Sequence, residues 1–371
     1  MLVRKEESTM KRRLGVSIYP DHSDYEKDIA YLKKAADLGF SRIFMSMLEV
    51  TEGKDVVAEK FGKIIKEAKN MGYETILDIA PSIFDDLGIS YDDLSFFAEI
   101  GADGIRLDES FNGSKEAMLS YNEYGLIIEL NMSNDVAYLD SILSYQANRP
   151  FLYGCHNFYP QDGSALPLDF FESCSKRFKK EGIRTAAFVS SQVGTYGPWN
   201  VNDGLPTLEM HRNLPLATQT KHLFATGLID DVIIGNAYAS DEELEAMAAV
   251  NRYQLEFDVV VDREISDLER TIIEDNQHVR RGDITKQMIR STWVRVKYGK
   301  EANPVIPGHD FKRGDVLLGN DDFGKYKNEL QIALEDHSDN RKNIVGHIAP
   351  EEVMLLDYVL PWSKFKLKVR S

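Results

Sequence analysis

A glycine recurs in this chain between a charged, amphipathic stretch and a short apolar run. It is Gly39 in DLGFSRIFMS, Gly72 in NMGYETILDIA, Gly101 in EIGADGIRLDE, Gly125 in NEYGLIIELNMS, Gly182 in KEGIRTAAFVSS and Gly227 in ATGLIDDVIIGNA. Without a Cβ, glycine takes the left-handed conformation that ends a helix. An apolar run of roughly 4–8 residues behind it reads as a buried parallel strand. Repeated junctions of this kind mean a βα alternation, and so an α/β barrel or a doubly wound sheet.

Counting the apolar runs separates the two. They are Leu14–Pro20, Arg42–Leu48, Thr75–Ala80, Gly104–Ser110, Leu126–Ser133, Phe151–Pro160, Thr185–Gln192 and Asp231–Ala237. Eight βα units within residues 12–250 match a closed (β/α)8 barrel. Between two of them, Val56, Val57, Phe61, Ile64, Ile65 and Ala68 fall at helical spacing with lysines interleaved. The glycine fingerprint of a dinucleotide fold does not follow the first run and no phosphate-loop signature occurs, which weakens the open-sheet alternative.

Past residue 250 the pattern changes. YQLEFDVVVD, STWVRVKYG, DVLLGN, ELQIALED, NIVGHI and FKLKVR read as strands, separated by turn clusters such as NPVIPGHD and GNDDFGK. Short helices are expected only at Ser266–Asp275 and Pro350–Val359. Residues 251–371 therefore read as a second, small, mostly β domain, a barrel or sandwich. Its two Arg-Gly-Asp triplets, at Arg281 and Arg313, read as turns rather than adhesion motifs.

The formal net charge of −16 argues against a nucleic-acid groove or an anionic membrane surface, and no run reaches transmembrane length. Cys155 and Cys174 are too few for a disulfide framework and read as buried thiols. The first eleven residues are polar and patternless, so Met10 is an alternative start, and no signal-peptide stretch is present. A cytoplasmic protein is expected, and nothing in the sequence argues against a homo-oligomer.

In an α/β barrel, chemistry sits at the C-terminal ends of the strands. Strand three supplies Asp78 there, strand four Arg106 and Asp108, strand five Glu129 and Asn131, strand six His156, Asn157 and Tyr159. The long segment after strand seven, SSQVGTYGPWNVNDGLPTLEMHRNLP, adds Tyr196, Trp199, Glu209, His211 and Arg212. Long ordered loops at a barrel mouth are often binding loops, with aromatic rings as sugar platforms and Arg or His as anion receptors. Zinc-ligand spacing, a Schiff-base lysine at a strand end and a nucleophile elbow are all missing, so neither metal nor cofactor is expected. A mouth rich in carboxylates points to acid/base chemistry, commonly glycoside hydrolysis. The expected catalytic acids are Asp108 and Asp78, with Glu129 and Glu209 in reserve. The expected substrate-binding set is Arg106, Asn131, His156, Asn157, Tyr159, Tyr196, Trp199, His211 and Arg212.

LGVSIYP at the start, GCHNFYP on strand six, GLPTLEMHR after strand seven and RGDIT early in the second domain resemble a bacterial family once called outer surface proteins. Its characterised members are 6-phospho-N-acetylmuramidases. The resemblance runs from about Leu14 to the C-terminus. It implies a glycosidase-type barrel followed by a cyclophilin-like β-barrel domain. It also implies an intracellular substrate, a phosphorylated amino-sugar disaccharide that yields 6-phospho-N-acetylmuramic acid and N-acetylglucosamine in cell-wall recycling. One segment departs: where the family pattern has His-Ile-Pro-Glu after strand two, this chain reads SMLEVTEG, keeping a carboxylate in Glu49. A different phosphosugar preference, a non-catalytic phosphosugar sensor, and a phosphosugar lyase or isomerase therefore stay open as alternatives.

Overall fold

The computed structural model describes residues 11–370 apart from 81, 82, 85, 86, 135 and 136; Met10 lies outside them. The chain divides into two compact units that meet in sequence at Ala249 and Val250.

In the first unit eight strands close into a barrel in chain order. They are β1 (Arg13–Ile18), β2 (Arg42–Ser46), β3 (Glu74–Ile79), β4 (Gly104–Leu107), β5 (Ile127–Asn131), β6 (Leu152–Cys155), β7 (Arg184–Val189) and β8 (Asp231–Ile234). Every neighbouring pair is parallel, and β8 returns to β1 through Arg13–Asp231 and Val16–Ile234. Among the described residues a helix follows each strand: α1 (Tyr25–Asp37), α2 (Lys54–Asn70), α3 (Ser95–Glu99), α4 (Ser114–Leu119), α5 (Tyr138–Ser144), α6 (Leu168–Lys180), α7 (Leu216–Ala225) and α8 (Asp241–Ala248).

The six recurrent glycines all have positive φ, from 69° at Gly227 to 93° at Gly72 and Gly101. Gly72 shows the mechanism: its N–H returns to the Lys69 carbonyl at 3.1 Å, which ends α2 and turns the chain into β3. On α2 the buried stripe is Val57, Phe61, Ile64, Ile65 and Ala68, while Val56 is exposed. The Ser240 hydroxyl and Glu243 carboxylate cap α8 reciprocally.

The barrel is filled in layers. At the N-terminal end of the strands, Asp231 accepts from Arg13 at 2.7 Å, Arg42 at 2.7 Å and Arg184 at 2.5 Å. These guanidinium groups hold the Asp231 carboxyl far below its ordinary value against the opposing effect of burial. Above them Phe44, Cys155, Ala186, Phe188 and Ile233 form an apolar layer with Tyr19 and Leu205.

The second unit is a seven-stranded sheet in the order β10–β17–β9–β16–β13–β14–β11. Its strands are β9 (Leu255–Val260), β10 (His278–Val279), β11 (Met288–Ser291), β13 (Asp315–Gly319), β14 (Leu330–Ala333), β16 (Lys342–Ile348) and β17 (Lys364–Val369). A bond from the Arg281 N–H to the Arg290 carbonyl, 2.9 Å, links the two edges, so the sheet is a nearly closed barrel. Its core holds Phe257, Ile272, Ile332, Leu355 and Phe365. A separate ribbon pairs β12 (Asp310–Phe311) with β15 (His337–Ser338). The helices are α9 (Asp267–Glu274) and α10 (Trp293–Tyr298), and Pro350–Tyr358 is a 3-10 segment.

One expected strand is overturned. In STWVRVKYG the residues from Trp293 form α10, with Val294 buried and Tyr298 packed beside it one turn later, while Trp293 and Val296 face solvent. Packing at i and i+4 outweighs the β preference of the segment. The Arg313-Gly314-Asp315 triplet is a turn with Gly314 at φ 98°, and the Arg281 triplet is an irregular bend after β10. Both cysteines are buried, and neither is in a disulfide.

Candidate active site

Strand alternation decides which strand-end side chains enter the barrel mouth. On β3 and β4, Asp78 and Arg106 are register partners, and Ser46 of β2 lies on the other side of Asp78. The Arg106 Nη1 donates to Asp78 Oδ1 at 2.5 Å and to Asp108 Oδ1 at 3.0 Å. Its Nη2 donates to the Asn157 side-chain oxygen. Asn131 Nδ2 donates to the Asp108 carbonyl at 3.1 Å, and Asn131 Oδ1 accepts from the Ser133 N–H at 3.0 Å. The ends of β3, β4 and β6 thus meet at one buried guanidinium, and Asn131 of β5 holds the Asp108 backbone beside it.

The electrostatics divide the two acids. Burial pushes the Asp78 carboxyl up to about 7; Arg106 opposes this and Asp108 adds to it. Burial disfavours the charge on Arg106, yet Asp78 and Asp108 hold it well above its ordinary value. The Asp78 side chain is almost sealed, whereas that of Asp108 is 34% exposed. The arrangement offers a carboxyl that keeps its proton near neutral pH beside a carboxylate open to a ligand.

The aromatic residues frame this mouth. Trp199 is 43% exposed, with its ring 6.0 Å from that of Phe158. Tyr196 is half-buried, 5.3 Å from the Tyr238 ring, and its backbone is bonded to Ala237 in both directions. Tyr159 is half-buried too, with burial raising its hydroxyl and Ser133 and Asn157 as its side-chain partners.

Five expected site residues are placed elsewhere. Glu129 lies below the mouth, in register with Arg106 on β4, where it is fully buried and paired with Arg42. Glu209 caps a loop: it accepts from the Gly163 and Ala165 N–H groups at 3.2 and 2.8 Å and from Arg212 Nε and Nη2 at 2.6 and 2.7 Å. Arg212 foremost lowers its carboxyl to about 2, the wrong direction for a general acid. Arg212 is itself consumed, because its Nη1 donates to the carbonyls of Tyr159, Asp203 and Gly204 at 3.1 to 3.2 Å. It staples the long loop to the end of β6 and is not free for an anion. His211 is buried against His222, Nε2 to Nδ1 2.7 Å, and burial keeps both neutral. His156 is on the outer face of β6, between Ser133 Oγ at 3.1 Å and Ser175 Oγ of α6 at 2.8 Å, and burial lowers it to about 3. Its neighbour Asn157 faces inward, as alternation requires.

Residues not in the expected set also line the mouth. Tyr19, just past β1, donates its hydroxyl to the Gly235 carbonyl. Tyr19, Asp21, His22, Ser46, Glu49 and Pro198 surround a small cleft. His22 Nε2 contacts the Glu49 carboxylate there. Tyr19 was within reach of the strand-end rule, but a tyrosine in YPDH carries no charge signal. The approach of His22 to Glu49 joins two loops and has no signature in either. Among the described residues no group of three His, Cys, Asp or Glu side chains could hold a metal ion, and no helix is long and apolar enough to cross a membrane.

Two family models match the chain, "6-phospho-N-acetylmuramidase, N-terminal" over residues 14–249 and "6-phospho-N-acetylmuramidase, C-terminal" over residues 255–368. Among solved structures, an uncharacterized B. cereus protein is 55% identical, covers 97% of this chain and 100% of its own, and superposes with a TM-score of 0.91. A conserved protein from a locus in Enterococcus faecalis, of unknown function, is 24% identical, covers 97% of each chain and has a TM-score of 0.73, which shows the shared fold. No curated protein matches the chain. With both halves matched, and a carboxylate pair at the mouth of a (β/α)8 barrel, the chain belongs to the 6-phospho-N-acetylmuramidase family, a glycosidase-type family.

Proposed function

We propose that the protein hydrolyses the glycosidic bond between 6-phospho-N-acetylmuramic acid and N-acetylglucosamine, as a cytoplasmic step of cell-wall recycling. The observation that carries this reading is the carboxylate pair on one guanidinium: Asp78 raised to about 7 and Asp108 partly open, both bonded to Arg106 Nη1. Asp78 is the proton donor to the leaving oxygen, since a general acid must hold its proton at the working pH. Asp108 is the carboxylate that faces the anomeric carbon and stabilises its positive charge in the oxocarbenium-like transition state. Arg106 fixes both acids and is a positioning residue. Trp199 supplies an exposed ring face for a sugar. The SMLEVTEG departure is what keeps a sensor, lyase or isomerase in view, and the carboxylate pair on Arg106 favours hydrolysis over them.

The test is release of a chromogenic phenol from its 6-phospho-N-acetylmuramide. Wild-type protein should turn it over, and Asp108→Asn should fall by at least about a hundredfold. A wild type that releases no phenol, or a folded Asp108→Asn protein with near-normal turnover, would refute the reading.

A further inference from the structure

The spacing of the two acids on Arg106 bears on the stereochemical course of the hydrolysis. Glycosidases that invert the anomeric carbon hold their carboxyl groups roughly 6.5–9.5 Å apart, leaving room for a water on the face opposite the leaving group. Those that retain its configuration hold them about 5–5.5 Å apart, and the second carboxylate attacks the carbon itself. Here Asp78 Oδ1 and Asp108 Oδ1 accept from the same nitrogen, Arg106 Nη1, at 2.5 and 3.0 Å. Two oxygens that approach one nitrogen so closely are at most about 5.5 Å from each other, within reach of the retaining arrangement and short of the inverting one.

The barrel holds this spacing. Arg106 is the register partner of Asp78, and its Nη2 donates to the Asn157 side chain, so the guanidinium is tied on both sides. The Asp78 carbonyl accepts from the Met47 N–H at 2.9 Å. The Asp108 N–H donates to the Ile79 carbonyl at 3.0 Å, and the Asp108 carbonyl accepts from Asn131 Nδ2 at 3.1 Å. Parting the acids to admit a water between them would strip a buried guanidinium of one of its carboxylates, at a cost. The electrostatics suit a two-step cycle. Burial raises the Asp78 carboxyl, and the charge of Asp108 adds to that rise. Once Asp108 is bonded to a sugar it carries no charge and that addition disappears. Asp78, having given up its proton, is then left as a carboxylate that can act as a base.

We infer that Asp108 is a nucleophile and that the reaction retains the anomeric configuration through a glycosyl–Asp108 ester. In the first step an Asp108 oxygen forms a bond to the anomeric carbon and the glycosidic C–O bond breaks. The leaving oxygen keeps that electron pair and takes the Asp78 proton. In the second step a water oxygen bonds to the same carbon and passes a proton to Asp78. The ester C–O bond breaks, and its pair returns to Asp108. Each displacement inverts the carbon, so the pair of them restores the starting anomer. The inference rests on the proposed function and deepens it, adding the covalent intermediate and the stereochemistry.

The experiment uses 4-nitrophenyl and 2,4-dinitrophenyl 6-phospho-N-acetylmuramides. Proton NMR of wild-type turnover of the first, read before mutarotation, should show the substrate's own anomer as the first product. Wild type quenched in acid while turning over the second should carry the sugar on the peptide that contains Asp108. In Asp108→Ala, dinitrophenol release should fall by at least about a hundredfold. Azide, small enough to enter where the carboxylate was, should restore part of that rate and yield the glycosyl azide of the opposite anomer, because only one displacement then occurs. A residue that merely supports the fold gives no such product. A first product of the opposite anomer would overturn the inference and leave the hydrolysis standing. Retention with no sugar on the Asp108 peptide and no azide product from a folded Asp108→Ala protein would remove Asp108 as the nucleophile and assign the attack to the acetamido group of the substrate. A wild type that releases neither phenol would overturn the functional reading and this one with it.

Discussion

Replacing Asp78 by asparagine should make the barrel more stable and the enzyme inactive. The sign follows from linkage. In the folded protein Asp78 keeps its proton up to about pH 7, whereas the ordinary value is 3.8. The stability gained from protonation is fully present below pH 3.8 and is lost as pH rises to 7, because the unfolded chain gives up the proton first. Above pH 7 the native state carries an ionised, sealed carboxylate that even Arg106 at 2.5 Å does not fully compensate. Asparagine resembles the protonated form at every pH. The interval between 3.8 and about 7 corresponds to roughly 4 kcal/mol. That is an upper figure, since Arg106 and Asp108 readjust when the charge is gone. At about 2–4 °C per kcal/mol for a domain of this size, the barrel should melt several degrees higher at pH 8.5. The gain should shrink to less than half at pH 5. Calorimetry of both proteins at the two pH values is the assay, with the phenol-release rate measured alongside. A variant less stable than wild type at pH 8.5, or an equal gain at both pH values, would refute the reasoning. The expected outcome is a stability cost located in an active site, where a group needed for proton transfer is held in its less comfortable form.

Two further outcomes follow from the corrected placements. Arg212→Met should cost about 2 kcal/mol, because it opens the Glu209 pair and frees three carbonyls, and should lower activity on phosphorylated and unphosphorylated sugars equally; a loss confined to the phosphorylated sugar in a protein of unchanged melting temperature would restore Arg212 as an anion receptor. His222, lowered to about 4 by burial, adds stability that is present above pH 6.5 and lost as pH falls towards 4, so His222→Gln should flatten the decline in melting temperature across that interval, and an unchanged slope would refute it.

The barrel was legible in the sequence because its signals are local. Gly72 ends α2 whatever else surrounds it, and the apolar runs that follow such glycines are long enough to be strands only when buried. Asp78, Arg106 and Asp108 were legible for the same reason: strand ends in this architecture point to the mouth, and a charged residue there stands out. STWVRVKYG was misread because a short segment with β-branched residues satisfies both periods, and only the neighbours of Val294 and Tyr298 choose between them.

Tertiary structure alone decided what each polar strand-end and loop residue does. His156 and Asn157 are adjacent in sequence and lie on opposite sides of the barrel wall, one neutralised against α6 and one bonded to Arg106. Glu129 and Asp78 are both acids on inward faces and both flank Arg106 in register, yet one is paired with Arg42 in the barrel interior and the other with Arg106 at the mouth. Arg212 and Glu209, three residues apart, had the composition of an anion site and became a staple because three loop carbonyls converge on the guanidinium. The contact of His22 with Glu49 joins the loops after β1 and β2 and exists only once those strands pair. Sequence fixes conformation where the deciding interactions lie within a few residues. A side chain's charge state and role depend on which distant groups share its low-dielectric surroundings, and those neighbours are set only when the barrel closes.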